Sequence, residues 1–223
     1  MPVGLQVVCQ DGSGALQIDG SYQNLHLRRK GSSATTAYYL ILSGANVTFV
    51  TVNFGGGFSR RPLIALNCPS LATVGAVSQN SDGTWQAQVL VRGELGASFD
   101  WYAFDLVQPA ERGTYGLQVM NDAGQVVYDS TWLPMRVRGM LISDGTVGQS
   151  QTLPAGPKYA MTFNAGGRAI PTGTAAGVLM TFGASVNGGV VALNYFQIVT
   201  ITGGAVTAVN GPVVGLILDV TNY

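Results

Sequence analysis

The single histidine, His26, is the residue whose side chain most readily performs acid–base chemistry near neutral pH. It lies in "LHLR", where leucines alternate with polar residues as in a β-strand with one solvent-facing side. A matching stretch in the second half of the chain reads "MRVR" and has Arg136 in place of the histidine. Since a general base is not interchangeable with arginine, we expect no catalysis here and predict that His26 faces solvent.

The carboxylates and cysteines form no evident catalytic or metal-binding set. Asp100 and Asp105 flank "WYAF", and their five-residue spacing on a strand predicts opposite faces, so they cannot act together on one glycosidic bond. Cys9 and Cys68 lie in apolar alternating stretches without a histidine or carboxylate cluster nearby. We therefore predict two buried small hydrophobic side chains, with a single disulfide as the alternative, and no metal or other cofactor.

Two glycine-rich segments carry arginines that could contact a partner or a glycan. "NFGGGFSRR" spans residues 53–61 and "FNAGGRAIP" spans residues 163–171. Neither has the Lys-Ser/Thr of a phosphate-binding loop, and neither opens a helix, so a nucleotide site is not expected. Their comparable positions in the two halves instead predict long loops at a sheet edge, with Arg60, Arg61 and Arg168 as contact residues.

Aromatic side chains could stack against a sugar ring if they were exposed. The alternation in "YYLIL" and "WYAFDLV" sends about half of these rings inward, so core packing is the main prediction. A surface sugar site with Trp85 or Trp101 at the contact is the alternative. The rings considered are Tyr38, Tyr39, Trp85, Trp101, Tyr102 and Phe104.

The composition limits the classes of partner. Charged residues make up 10% of the chain and the formal net charge is zero, so the basic surface of a nucleic-acid-binding protein is not expected. No run of about 18 uncharged apolar residues is present, and the N-terminus lacks a signal-peptide pattern, which predicts cytoplasmic synthesis and no membrane insertion. A surface with so few charges suggests partial burial in an assembly.

The elements that position these residues are suggested by a repeat. "GLQVVCQDGSGALQID" begins at Gly4 and "GLQVMNDAGQVVYDS" begins at Gly116. Each stretch alternates apolar and polar residues around a turn rich in Gly, Asp and Asn, which predicts a β-hairpin. The register predicts that Leu5, Val7, Leu117 and Val119 point into a core and that the two glutamines point away. Asp19 and Asp129 end the return strands, and we expect them to cap turns.

The repeat offset of about 110 residues is close to the size of a small domain. Short strand-like runs fill both halves, and no window of a dozen residues has a helical period with caps. We predict an all-β protein of two tandem β-sandwich-like domains related by internal duplication, residues 1–110 and 114–223. The segment "VQPAERGTYG", residues 107–116, is the predicted linker.

The second copy of the repeat resembles a segment of small structural proteins encoded among the tail genes of tailed bacteriophages. The resemblance lies in "GLQVMNDAGQVVYDSTWLPMRV", residues 116–137, with its Gly-Leu-Gln-Val, its Asn/Asp-Gly turn, its Asp-Ser and its final Arg-Val. The first copy departs from this pattern by a longer turn and by "IDGSYQNLHL" after it.

This resemblance implies a non-enzymatic virion component of the tail tip, baseplate or tail fibre region, with no catalytic residues. The expected partners are other tail proteins and further copies of the chain, with a trimer favoured for such a location. A carbohydrate-binding module that recognises a host surface glycan, and a capsid decoration protein, are the alternatives.

Overall fold

The computed structural model describes residues 4–8, 15–19, 25–40, 46–106, 116–120, 126–144, 147–164, 167–173, 176–202 and 212–223. Within these ranges every regular element is a β-strand, which confirms the all-β prediction. The first half contains β1 Gly4–Val8, β2 Ala15–Asp19, β3 His26–Ala34, β4 Ala37–Leu40, β5 Val47–Gly55, β6 Leu63–Asn67, β7 Ala72–Gln79, β8 Trp85–Arg92 and β9 Ser98–Asp105. The second half contains β10 Gln118–Met120, β11 Val126–Asp129, β12 Val137–Ser143, β13 Gln149–Thr152, β14 Tyr159–Phe163, β15 Gly167–Gly173, β16 Ala176–Asn187, β17 Val190–Thr202 and β18 Val213–Asp219.

Two large antiparallel sheets form the body of the described structure. The first has six strands in the order β12-β18-β14-β6-β9-β3. The second has the order β13-β17-β16-β7-β8-β5-β4, and β15 also pairs with β16. The hairpin between β16 and β17 has a two-residue turn, Gly188-Gly189, with both φ angles positive, as a tight turn between twisted strands requires.

The inner faces of the two sheets pack on each other through two apolar clusters. In the first half, Phe54 and Val89 from the second sheet meet Leu66 and Trp101 from the first. In the second half, Phe182, Ala184, Val186, Val191 and Leu193 meet Leu141, Tyr159, Met161, Val213 and Ile217. Alternating inward-facing residues from both sheets give the sandwich arrangement.

The two halves share both sheets. In the first sheet β6 pairs with β14 at Leu66 and Met161, and in the second sheet β7 pairs with β16 at Ala72 and Ala184. Each sheet has this single residue pair between the two strands that meet. Beside the pairs, the Val186 N–H donates to the Cys68 carbonyl at 2.7 Å, and the Asn67 side-chain amide donates to the Tyr159 carbonyl at 2.5 Å. The junction is therefore held by backbone pairing and by a side-chain hydrogen bond between the halves.

The first sheet has the same strand order when it is read from either end. From one end the order is β3, β9 and β6, and from the other end it is β12, β18 and β14. In each case the outermost strand is the third of its half and the next is the last of its half. Strands β6 and β14 meet antiparallel at the centre. This correspondence concerns topology only, and internal duplication stays a prediction. The division into domains 1–110 and 114–223 also stays a prediction. Strands from both ranges occur in each large sheet.

The two opening hairpins form as predicted in backbone terms, but their registers differ. In the first hairpin Gly4 lies opposite Asp19. The sequence repeat aligns Gly4 with Gly116, but in the second hairpin it is Gln118, two residues later, that lies opposite Asp129. Each hairpin is a separate two-stranded sheet, and Leu117 is 49% exposed, so the prediction that it points into a core is wrong. The side chains of β1 and β2, and the predicted linker between residues 107 and 115, lie outside the described residues.

Candidate functional site

The structure places the two tryptophans of the predicted sugar site in or against the core. Trp101 is 9% exposed; its ring packs edge-on against Phe54, with 5.1 Å between the centroids, and its Nε1 donates to the Ser33 hydroxyl at 3.3 Å. Trp85 is half-buried and packs against the same cluster. Burial therefore argues against Trp101 as a residue that stacks on a sugar, since little of its side chain is accessible.

The three arginines of the glycine-rich segments have different settings. Arg60 and Arg61 follow β5 in an exposed loop and make no hydrogen bond or ion pair with the described residues. Arg168 lies in β15, opposite Met180 of β16, so the loop predicted for the second segment is a paired strand instead. In the first segment, by contrast, β5 ends at Gly55, and Gly55 and Gly57 both take positive φ angles, which an extended strand does not have.

A cleft of about 720 Å³ opens where the two halves diverge. Beyond the single pair Leu66–Met161, β6 separates from β14, and beyond Ala72–Ala184, β7 separates from β16 on the same side of the junction. Strand β7 has a bulge between Val74 and Val77, and these residues line the opening. We call this space the junction cleft; it is lined by Tyr39, Arg61, Pro62, Leu63, Ile64, Thr73, Val74, Gly75, Ala76, Val77, Leu90, Met161, Thr162, Phe163, Asn164, Thr181 and Ile198.

The junction cleft combines an apolar lining with a few hydrogen-bonding side chains. Its lining is mostly aliphatic, with three threonine hydroxyls and the exposed side chains of Tyr39 and Arg61. Asn164 is held in place because its Oδ1 accepts from the Val214 backbone N–H and its Nδ2 donates to the Pro212 carbonyl. The described lining contains no histidine, cysteine or carboxylate, so it supplies no general base or activated nucleophile.

His26 is buried, and the prediction of a solvent-facing histidine is wrong. Its side chain is 2% exposed and packs edge-on against Trp132, with 4.6 Å between the ring centroids. The chain after β11 crosses this end of β3. Two backbone hydrogen bonds hold it there: the Leu27 N–H donates to the Leu133 carbonyl, and the Met135 N–H donates to the Leu25 carbonyl.

Burial first, and the nearby Arg28 charge second, lower the pKa of His26 from 6.5 to about 4. Its Nδ1 is buried without a hydrogen-bond partner in the described structure. A neutral imidazole is therefore the stable form of His26 at neutral pH, and its position indicates packing between the halves.

The predicted geometry of the carboxylates is confirmed. Asp100 faces outward and binds Lys158 at 2.6 Å, whereas Asp105 is buried and accepts from the Ser59 backbone N–H at 2.5 Å. Burial opposes the ionisation of Asp100, but the Lys158 and Ser32 hydrogen bonds outweigh it and hold the pKa below the usual value.

Two smaller predictions also hold. Asp129 caps a turn by accepting from the Thr131 N–H at 2.8 Å, while the side chain of Asp19 lies outside the described residues. Cys68 is buried, and this burial raises the pKa of its thiol to about 11. The thiol therefore stays protonated at neutral pH and packs as a small apolar group; Cys9 lies outside the described residues.

The terminal strands of the two sheets differ in what they present to solvent. On β3, residues 25–27 are covered by the segment around Pro134, and the exposed continuation carries Arg29 and Lys30. β13 is polar throughout, and β4 is a four-residue strand with two exposed tyrosines. Charge, coverage and short length are the usual ways in which a sheet edge is kept from pairing.

Strand β12 carries the exposed Arg138 near its beginning, but the outer face beyond it is apolar. Met140 is 52% exposed and Ile142 is 56% exposed, and Val214 of β18 lies beside Ile142 in the sheet. Val137, the first residue of β12, is also exposed, as is Val147, which follows the strand in the sequence. We call Met140, Ile142 and Val214 the apolar stripe. In the sequence the signal was "VRGMLIS", which has aliphatic residues at successive positions where a half-solvated strand would alternate them with polar ones.

Comparison with known proteins gives no relative: no family model, no curated protein and no solved structure matches this chain. Among the described residues, no cluster of three or more His, Cys, Asp or Glu side chains could hold a metal ion. The same part of the chain contains no helix of sufficient length and apolarity to span a membrane.

Proposed function

We propose that this chain is a non-enzymatic structural component of a tailed-bacteriophage virion, located in the tail tip, baseplate or tail fibre region. It acts through contacts with copies of itself and with neighbouring tail proteins, without a cofactor. The sequence of residues 116–137 supports the tail assignment through its resemblance to tail structural proteins.

The observation that carries the assembly role is the apolar stripe on β12. Among the described residues no strand pairs with the outer edge of β12, and this edge carries exposed Met140 and Ile142 beside a strand with exposed Val214. It therefore offers both backbone groups for pairing and apolar surface to bury. Among the end strands whose side chains are described, β3 carries three basic residues, β13 is polar and β4 is short, so the edge at β12 is better suited than these three to an ordered contact.

Immunogold labelling of purified phage particles tests the location. An antibody against the full chain should decorate the tail end of each particle, and a phage lacking the gene should show no gold there. Label spread over the head would favour a capsid decoration protein, and particles without label would contradict the virion assignment.

The junction cleft supports a second candidate function, glycan binding by the same virion component. Tyr39 presents a 42% exposed ring at the cleft, and Arg61 supplies hydrogen-bond donors beside it. A screen of host surface glycans should then give a ligand whose binding is lost in Tyr39→Ala. Tyr38→Ala is the matched control, because Tyr38 points to Glu94 instead, at 3.0 Å. Binding that survives Tyr39→Ala, or no binding by the wild-type chain, would refute this second function.

A further inference from the structure

We infer that two copies of this chain associate through strand β12, paired antiparallel about a two-fold axis near Leu141. The six-stranded sheet of one copy then continues into the six-stranded sheet of the other. This inference rests on the proposed role in self-association and identifies the contact that performs it.

The first argument is contact between the two residues of the apolar stripe that lie on β12, Met140 and Ile142. In an antiparallel pair, residues directly opposite each other lie on the same face of the sheet. A two-fold axis at Leu141 places Met140 opposite Ile142 of the partner subunit, and Ile142 opposite Met140 of the partner subunit. Met140 and Ile142 of each copy thereby pack laterally against those of the other on one face of the joined sheet, while Val214 on β18 lies one strand further from the contact.

The second argument is charge. At the beginning of β12, Arg136 and Arg138 share one carboxylate, Asp219, at 3.6 and 3.3 Å, which leaves an excess of positive charge. Just beyond the end of the strand lies Asp144. Antiparallel pairing brings the basic end of one copy beside the acidic end of the other, whereas parallel pairing would bring like charges together.

The symmetry follows from these two arguments. A contact in which a strand meets its own copy is two-fold, so it closes after two subunits. It builds dimers, and larger assemblies of even number through other surfaces, whereas the trimer expected for a fibre location would need a different interface.

Analytical ultracentrifugation of the full chain tests the contact. The wild type should sediment as a dimer, and Ile142→Lys should raise the dimer dissociation constant by roughly 30-fold or more, because two lysines would be brought into the contact. Ser150→Lys is the matched control: it also adds a lysine at an exposed terminal strand, on β13, and should stay dimeric. A monomeric or trimeric wild type, or an Ile142→Lys dimer of wild-type affinity, would overturn the inference.

Cysteine cross-linking tests the register independently of Ile142→Lys. A Met140→Cys copy and an Ile142→Cys copy with tags of different size should oxidise to a mixed dimer, because directly opposite Cβ atoms are about 5 Å apart. Each variant alone should cross-link more slowly, since equal positions then lie two residues out of register. The wild-type chain, oxidised in parallel, reports any background from its own cysteines. Equal yields from the mixture and from the single variants would refute this register.

The two proposals fail separately. A dimer through β12 in a chain that is missing from phage particles would refute the virion function alone. A chain that labels the tail but is monomeric in solution would refute the β12 contact alone.

Discussion

Acidification should destabilise the protein through His26, the single histidine of the chain. The folded state lowers the pKa of His26 to about 4, whereas the unfolded state has the ordinary value of 6.5. The unfolded chain therefore binds the extra proton first as the pH falls. The free energy of unfolding should be unaffected above about pH 7 and should decrease between about pH 6.5 and pH 4.

The magnitude follows from the two pKa values. Each unit of pKa difference is worth about 1.4 kcal/mol, and protonation is nearly complete in the unfolded state at pH 4.5. The expected loss between pH 7 and pH 4.5 is about 2 kcal/mol, or a fall of about 4–8 °C in Tm for a chain of this size. The carboxyl groups of Asp82, Asp100 and Asp219 contribute little in this range, because the pKa of each is below the ordinary 3.8 in the folded state, so the stability that they add is lost mainly at lower pH.

Urea unfolding followed by tryptophan fluorescence at a series of pH values measures this loss. His26→Phe is the control, because it keeps a ring against Trp132 and removes the titrating group. The slope of stability against pH between 4.5 and 6.5 should be present in the wild type and absent in His26→Phe. Equal slopes in the two proteins would show that His26 is not buried as a neutral imidazole.

Two further perturbations test the packing. Gly31→Ala should lower stability by about 1–3 kcal/mol in thermal unfolding, because its Cβ would lie 2.6 Å from the ring of Trp101; Gly139→Ala, whose Cβ meets its nearest atom at 3.4 Å, should cost much less, and equal effects would contradict this packing. Met161→Ala should cost about 2–5 kcal/mol, since Met161 is 1% exposed at the junction. Calorimetry of this variant should still show a single transition, and two separate transitions would mean that the halves fold independently.

The sequence predicts the strands and hairpins well because their signals are local. The alternation and turn residues around Gln118 predicted a hairpin that the structure contains. The same pattern failed for Leu117, since alternation specifies two faces of a strand but not whether a second sheet covers either face. The prediction that His26 faces solvent was wrong for the same reason, because the segment that buries it follows β11, about 100 residues later in the chain.

The two candidate surfaces required the fold. The junction cleft exists because Leu66 and Met161 meet across the halves and the strands then diverge, a long-range pairing that no local pattern specifies. The apolar stripe is different, because the letters around Ile142 already depart from simple alternation. What they could not indicate is that β12 ends its sheet, which depends on the order of all six strands.

The most direct test of the proposed virion role is quantitative mass spectrometry of particles purified through a density gradient from a lysate of cells infected with the phage that encodes this chain. The account predicts peptides of the chain in the particle fraction, at a fixed small ratio to the major capsid protein that further purification leaves unchanged. Recovery of the chain only in the soluble fraction of the lysate, with none in infectious particles, would contradict it.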